Sequence, residues 1–407
     1  MCQDWPFMTA SDRRAFRILF VGLVCIGMGQ SVLFSTLPPA ARELGLTPFR
    51  ISTIFATSAT LWVFVSPWWG RRSDVVGRRP IILQGLLGYA TSMALVATTI
   101  TLGRNELLPI AWIYPCLIGS RCIFALLGSG TGPASQAYVA DRTTHAERTR
   151  GVAFLNAAMG LGETVGPGFG SMLAVFGVAA PIYFAAGLAV ASAALLGRML
   201  PEETAPHAMR REPVKRLAVL DRRVLPFLGI AAALQAVRAT VAITLALFFQ
   251  DTLGLDAAET VRDAGIGFVV LAASGLFAQL VLVQRLHPSS RTMLYTGVPL
   301  TILAFATLVG GGSLEVYVGA LATLGIGLGL VRPGTSAGAS LSVGLGEQGA
   351  VAGVMGGLAV VGNVVGPMVA TTLYQVDHRA PYLLCLTIMT GALAIVVASR
   401  RVRGLRA

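Results

Sequence analysis

Twelve times along this chain, a run of roughly 20 apolar residues ends at a charge, a proline or a polar cluster. The runs fall at 17–38, 51–69, 80–101, 108–137, 151–175, 179–199, 223–249, 264–284, 291–312, 314–337, 350–373 and 380–399. A helix of about 20 apolar residues matches the hydrocarbon thickness of a bilayer. Inside lipid the backbone must satisfy its own hydrogen bonds, which a helix does. Strict alternation in short segments, the mark of a membrane barrel, does not occur. Composition agrees, with 55% apolar and only 12% charged residues, against about 25% charged in soluble domains. Such hydrophobicity also excludes a disordered polymer. The expected fold is an all-α integral membrane protein of twelve transmembrane helices.

The net charge of +12 admits nucleic acid as a partner until its distribution is read. With a cytoplasmic amino terminus, twenty-three basic residues fall in tails and loops on that side and five on the other. The remaining three, Arg121, Arg238 and Arg332, lie within apolar runs. That asymmetry is the positive-inside rule. It predicts a multi-pass protein of a plasma (bacterial inner) membrane with both termini cytoplasmic, drawn to anionic lipid headgroups rather than to nucleic acid. The first run is too long for a cleavable signal. Four of the five cysteines sit in apolar runs without a CxxC pair, and all four histidines lie between runs, so no disulfide framework, metal site or cofactor is expected. Lys215 is the only lysine, so no Walker-type phosphate loop exists. No polar cluster suited to catalysis appears, so an enzyme is not expected.

The longest polar stretch, residues 201–222, separates residues 1–200 from residues 223–407. Shifting the chain by 200 positions lays Gly162-Glu163-Thr164-Val165-Gly166-Pro167 over Gly362-Asn363-Val364-Val365-Gly366-Pro367. Pro133 then faces Pro333, and Glu147 faces Glu347. The expected organisation is two pseudo-symmetric six-helix bundles joined by a cytoplasmic linker, with a substrate path between the halves, as in many transporters built from repeats.

Between the second and third runs stands Gly70-Arg71-Arg72-Ser73-Asp74-Val75-Val76-Gly77-Arg78-Arg79-Pro80. Gly70 and Gly77 permit close approach or positive φ, Pro80 suits a helix start, and Asp74 can cap a helix or accept arginine contacts. The segment resembles the loop 2–3 signature of the major facilitator superfamily, with Arg72 at a usual Leu place and Val75 at a usual basic one. The resemblance implies the major facilitator fold and a conformational latch formed by Gly70, Asp74, Gly77, Arg78 and Arg79. The corresponding second-half loop, Gln284 to Arg291, contains no acid.

The fourth run, with Arg121 and then Gly128-Ser129-Gly130, ends in Tyr138-Val139-Ala140-Asp141. It resembles the drug:proton antiporters of that superfamily, including the tetracycline and multidrug efflux type, which implies that Arg121 takes part in proton transfer. The structural reading is an arginine paired with a buried polar group or helix carbonyls. Gly162, Gly166, Pro167 and Gly170, echoed by Gly362, Gly366 and Pro367, form a helix-packing motif in which small residues admit a close neighbour. It is similar to the antiporter signature of the family, which implies export. Glu163 reads as the one acid deep inside an apolar run. Burial raises a carboxyl pKa and a nearby arginine opposes the rise. Glu163 is therefore a candidate for proton coupling with Arg121, for permanent pairing with Arg121, or for substrate contact.

Gln30, Gln235, Arg238, Asn363 and Arg332 are candidates to line a substrate cavity. Phe34, Trp62, Phe64, Phe154, Phe248 and Phe249 read either as pocket or as packing. Three interior arginines against one Glu give a formal charge of +2, which favours an anionic or zwitterionic substrate. The leading expectation is a monomeric secondary transporter that exports a small amphipathic, drug-like molecule by alternating access, in exchange for protons. The alternatives are an exporter of an anionic or zwitterionic metabolite such as a siderophore, and a proton-coupled importer.

Overall fold

The computed structural model describes residues 10–143, 145–201, 221–344 and 347–403. Among these residues every regular element is helical and no strand occurs. Twelve long helices follow in order: α1 (Ala10–Glu43), α2 (Pro48–Val76), α3 (Arg78–Arg104), α4 (Ile110–Ala140), α5 (His145–Leu173) and α6 (Ala180–Met199). Then come α7 (Leu225–Leu253), α8 (Ala257–Leu286), α9 (Ser290–Gly310), α10 (Leu314–Leu341), α11 (Gln348–Val376) and α12 (Ala380–Ala398). Ten of them qualify among the described residues as long and apolar enough to cross a membrane; α5 and α11 occupy the other two places.

The apolar runs locate the middles of these helices, and polar caps extend their ends. Thr47 accepts the Arg50 amide at the start of α2, where Pro48 fits the first turn. Asp256 and Glu259 close a reciprocal capping box at α8. Helix α8 therefore begins seven residues before the apolar run at 264. Gly77, at φ +99°, is the single residue between α2 and α3. That φ lies in a region L side chains rarely adopt.

The chain forms two compact units, Met1–Met209 and Arg210–Ala407. In the first, α1 packs on α5 and α6, while α3 packs on α4 and α6. In the second, α7 packs on α11 and α12, while α9 packs on α10 and α12. Adding six to each helix of the first unit thus reproduces the main pairings of the second. Most of the linker expected at 201–222, namely 202–220, lies outside the described residues.

Candidate functional site

Among the described residues the buried charge of the first unit is Arg121 on α4, only 3% exposed. Its Nη2 donates to Gln30 Oε1 on α1 at 3.3 Å. Its guanidinium carbon lies 4.9 Å from the ring centre of Phe124 and 6.0 Å from that of Phe55. Nε and Nη1 are buried and have no hydrogen-bond partner among the described residues. An ion in such surroundings is expensive unless it is paired. Here a neutral amide and two ring faces supply the compensation. Tyr89, fully buried, meets Phe124 edge-on at 5.0 Å, and Trp62 lies 5.0 Å from the same ring. Phe34 stacks on Phe55 at 4.8 Å. Arg121 thus sits in an aromatic seat with two N–H groups still able to donate.

Sequence reasoning assigned Gln30 and Arg121 to different roles, and the structure brings them together. Among the described residues no ion pair joins Arg121 and Glu163. Glu163 is exposed rather than buried. Its neighbours Gly162 and Gly166 press against α1, while Leu161, Val165, Phe169 and Met172 form an exposed apolar stripe. At about 100° per residue, Glu163 points away from that stripe and borders the α1-facing side.

The contact between α1 and α5 is made backbone to backbone. A Cβ at Gly162 would collide with the Val24 carbonyl oxygen and lie 2.6 Å from the Met28 amide nitrogen. One at Gly166 would collide with Ser31 Oγ and the Met28 carbonyl oxygen. Gly27 belongs to the same seam, since a Cβ there would strike the Met159 carbonyl oxygen. Gly170 differs: its Cβ would meet only ordinary contacts at 3.7 Å, from Ser35 and Val32. Pro167 is buried in the same helix. In the second unit, Gly362 faces the Gln235 side chain (Cβ to Cβ 2.9 Å) and Gly366 faces Ala239 (2.7 Å). Gln235 is therefore a packing residue of the α7–α11 contact. Pro367 is buried in α11, and the side chain of Asn363 lies outside the described residues.

The charged loop forms a clamp inside the first unit. Arg78 bonds Asp74 and also Asp141, at 3.1 Å, at the far end of α4. It donates to Ser73 Oγ at 2.7 Å as well. Arg79 bonds the Gly197 carbonyl of α6. Arg142 pairs with Asp12 of α1 at 3.4 Å and lies 3.7 Å from the Tyr138 ring centre. A Cβ at Gly70 would lie 3.6 Å from Pro133 Cβ of α4. The loop at 284–291 contains no acid, yet the second unit builds an acid–arginine–acid clamp elsewhere. Arg223 bonds Asp221 at 2.8 Å and both carboxylate oxygens of Glu347 at 3.0 Å. The Arg223 hydrogen bonds hold both carboxyls below their ordinary pKa, helped at Asp221 by the Arg223 amide and at Glu347 by the Gly344 amide.

The structure places three further sets of residues. Arg332 is exposed and Arg238 half-buried, so of the three arginines of the apolar runs Arg121 is the one that is buried. Phe248 and Phe249 are fully buried against Tyr317, and Phe248 also against Tyr382, so they are core rather than pocket wall. Asp263, which sequence reading set just outside the eighth run, is 4% exposed inside α8 and held by Arg262 at 2.7 Å. The readable signal was Asp256-Ala-Ala-Glu259, a capping box that starts the helix earlier.

A polytopic helical protein with these repeated pairings, and with a charged residue seated among its helices, belongs to the class of membrane transporters. The model of the Major Facilitator Superfamily matches residues 19–367, and the chain belongs to that family. It is similar to multidrug resistance protein 2 of Bacillus subtilis, 26% identical over 401 residues with 95% of each chain covered. It is also 26% identical to the class G tetracycline resistance protein of Vibrio anguillarum, covering 91% of this chain and 95% of the relative. Among solved structures, a bacterial homolog of the human lysosomal transporter Spinster superposes with TM-score 0.73 at 12% identity, covering 98% and 99% of the two chains. That likeness concerns the fold. This protein is a multi-pass membrane protein and a small-molecule transporter of the facilitator kind.

Proposed function

We propose that this chain exports amphipathic, drug-like molecules in exchange for protons, with Arg121 and Glu163 as the residues of the coupling step. The observation that carries the reading is Arg121, a buried cation with two undirected N–H groups. An intramembrane charge held this way is costly and marks a pathway for ions or substrate. Resistance proteins for drugs and tetracycline among the relatives support export. Glu163 is an exposed acid within a membrane helix, directly after Gly162 and three residues before Gly166, the glycines that fix α5 to α1. The reading further includes a bacterial inner membrane, cytoplasmic termini inferred from the basic residues, surrounding lipid and a monomer. Gly70, Asp74, Gly77, Arg78 and Arg79 serve as the latch between conformations, and Gln30, Arg238, Arg332 and Asn363 as candidates for substrate contact.

The test is reconstitution in vesicles with an imposed pH gradient, using ethidium and tetracycline as probes and an organic dianion as contrast. Gradient-driven movement of ethidium or tetracycline with counterflow of protons is expected, and Glu163→Gln is expected to uncouple it. Movement of the dianion alone would sink the drug reading. Full coupling in Glu163→Gln would remove that residue from the mechanism.

A further inference from the structure

Helix α4 is interrupted directly after its arginine. It is α-helical from Ile110 to Ile123, widens into a π turn over Phe124–Gly128, and resumes from Thr131 to Ala140. A π turn holds one residue more than an α turn, recurs at functional sites, and leaves a carbonyl to be satisfied from outside the helix. Leu126 lies in this turn, and the indole Nε1–H of Trp69 on α2 donates to its carbonyl at 2.6 Å. Gly130 packs against Ile81 of α3 and Trp69: a Cβ there would sit 2.6 Å from Ile81 Cγ2, 2.9 Å from Trp69 Cβ and 3.1 Å from its Cγ. One residue on, Gly70 meets Pro133, and beyond the end of α2, Arg78 of α3 reaches Asp141. On the other side of the π turn, Trp62 and Phe55 of α2 complete the seat of Phe124 and Arg121. Helix α2 thus lines α4 from the arginine to its end, and the Trp69 bond is the directional contact at the irregular turn.

We propose that Trp69 is a positioning residue for Arg121, acting through the Leu126 carbonyl. One residue more or less in a turn rotates the helix before it against the helix after it by about 100°. The π turn therefore sets the angle between Arg121 and the end of α4 that carries Asp141. Without the indole N–H, the Leu126 carbonyl lacks its donor and the turn relaxes toward α geometry, which swings Arg121 out of the Phe55–Phe124 seat. The consequence for coupling rests on the function proposed above; the placement of Arg121 does not.

The test uses the full chain in vesicles with Cys122, the partly exposed neighbour of Arg121, as the reporter and the other cysteines replaced by alanine. Trp69→Phe keeps an aromatic ring and removes the donor. The expected result is a change of about threefold or more in Cys122 alkylation by N-ethylmaleimide, the scale of one lost hydrogen bond. Gly130→Ala, which crowds both Ile81 and Trp69, should act in the same direction, and Trp68→Phe should leave the rate as it is. Coupled ethidium exchange in Trp69→Phe should fall with a shifted pH profile and unchanged ethidium binding. Alkylation at the wild-type rate in both Trp69→Phe and Gly130→Ala overturns the proposal, as does a shift of equal size in Trp68→Phe. Changed alkylation in a protein whose wild type moves no protons would sink the coupling reading and leave the positioning role standing.

Discussion

The α1–α5 and α7–α11 contacts are written with the same letters, Gly-x-x-x-Gly-Pro, and are built differently. At Gly162 and Gly166 the neighbours are mostly main-chain atoms of Val24 and Met28, together with Ser31 Oγ. Main-chain atoms there can yield only if a helix moves. At Gly362 and Gly366 the neighbours are Cβ of Gln235 at 2.9 Å and Cβ of Ala239 at 2.7 Å, so an added methyl group overlaps them by less and a small shift accommodates it. A small-residue motif therefore states that two helices approach, and not how closely. In the first unit the approach is at the limit, and Glu163 follows directly from a glycine that cannot be enlarged.

The widest gap between the two seams should appear on adding one methyl group. Gly162→Ala is expected to destabilise by about 3 kcal/mol or more, at the upper end of overpacking effects. Gly362→Ala should remain within about 1.5 kcal/mol. Thermal unfolding of both variants in detergent checks this, and equal midpoints would erase the distinction. Arginines offer the next contrast. Arg121→Met should reduce coupled transport about a hundredfold, the scale of a lost proton-transfer group, while its melting temperature holds or rises, because an apolar replacement relieves a buried charge. Arg332→Met, at an exposed position where a solvated charge contributes little, should reduce transport by only about threefold, the smaller share of substrate contact. A large loss there would return Arg332 to the centre of the site.

Smaller effects concern the second unit alone. Asp263→Asn breaks the pair with Arg262 and should lower stability by about 1 kcal/mol, read in the same melts. The Asp221–Arg223–Glu347 clamp should give the faintest signal, because it is solvent-accessible. Its two carboxyls have depressed pKa values in the folded protein. Their contribution is therefore complete above the ordinary carboxylate range, about pH 4 to 4.5, and fades as pH falls through the lower folded values. Wild type should lose more stability over that acid window than Arg223→Met, and parallel curves would show that the clamp does not act.

The helices were legible because period and length are local properties. All twelve apolar runs lie within or closely overlap the observed helices, and the misplaced start of α8 follows from a cap that lies outside the hydrophobic stretch. Partnerships were less legible. Nothing along the chain brings Gln30 to Arg121 across ninety-one positions, or Trp69 to Leu126, since those contacts depend on which faces two helices present. Exposure was hardest: Glu163 in an apolar run reads as buried, and only the packing of Gly162 against α1 decides which way the next side chain points. The acid–arginine–acid clamp of the second unit was missed because the repeat predicts it at 284–291, whereas it forms from the start of α7 and the connection before α11.

Gly77 leaves the chain almost no slack. It alone separates α2, of 29 residues, from α3, of 27, rods of about 43 and 40 Å at 1.5 Å per residue. With one residue between them, neither rod can slide or tilt far without dragging the other. Arg78, the first residue past the joint, bonds to both sides of it, to Asp74 behind and to Asp141 on α4. A small displacement at this corner is therefore magnified at the far ends of both rods, making the joint the short arm of a lever.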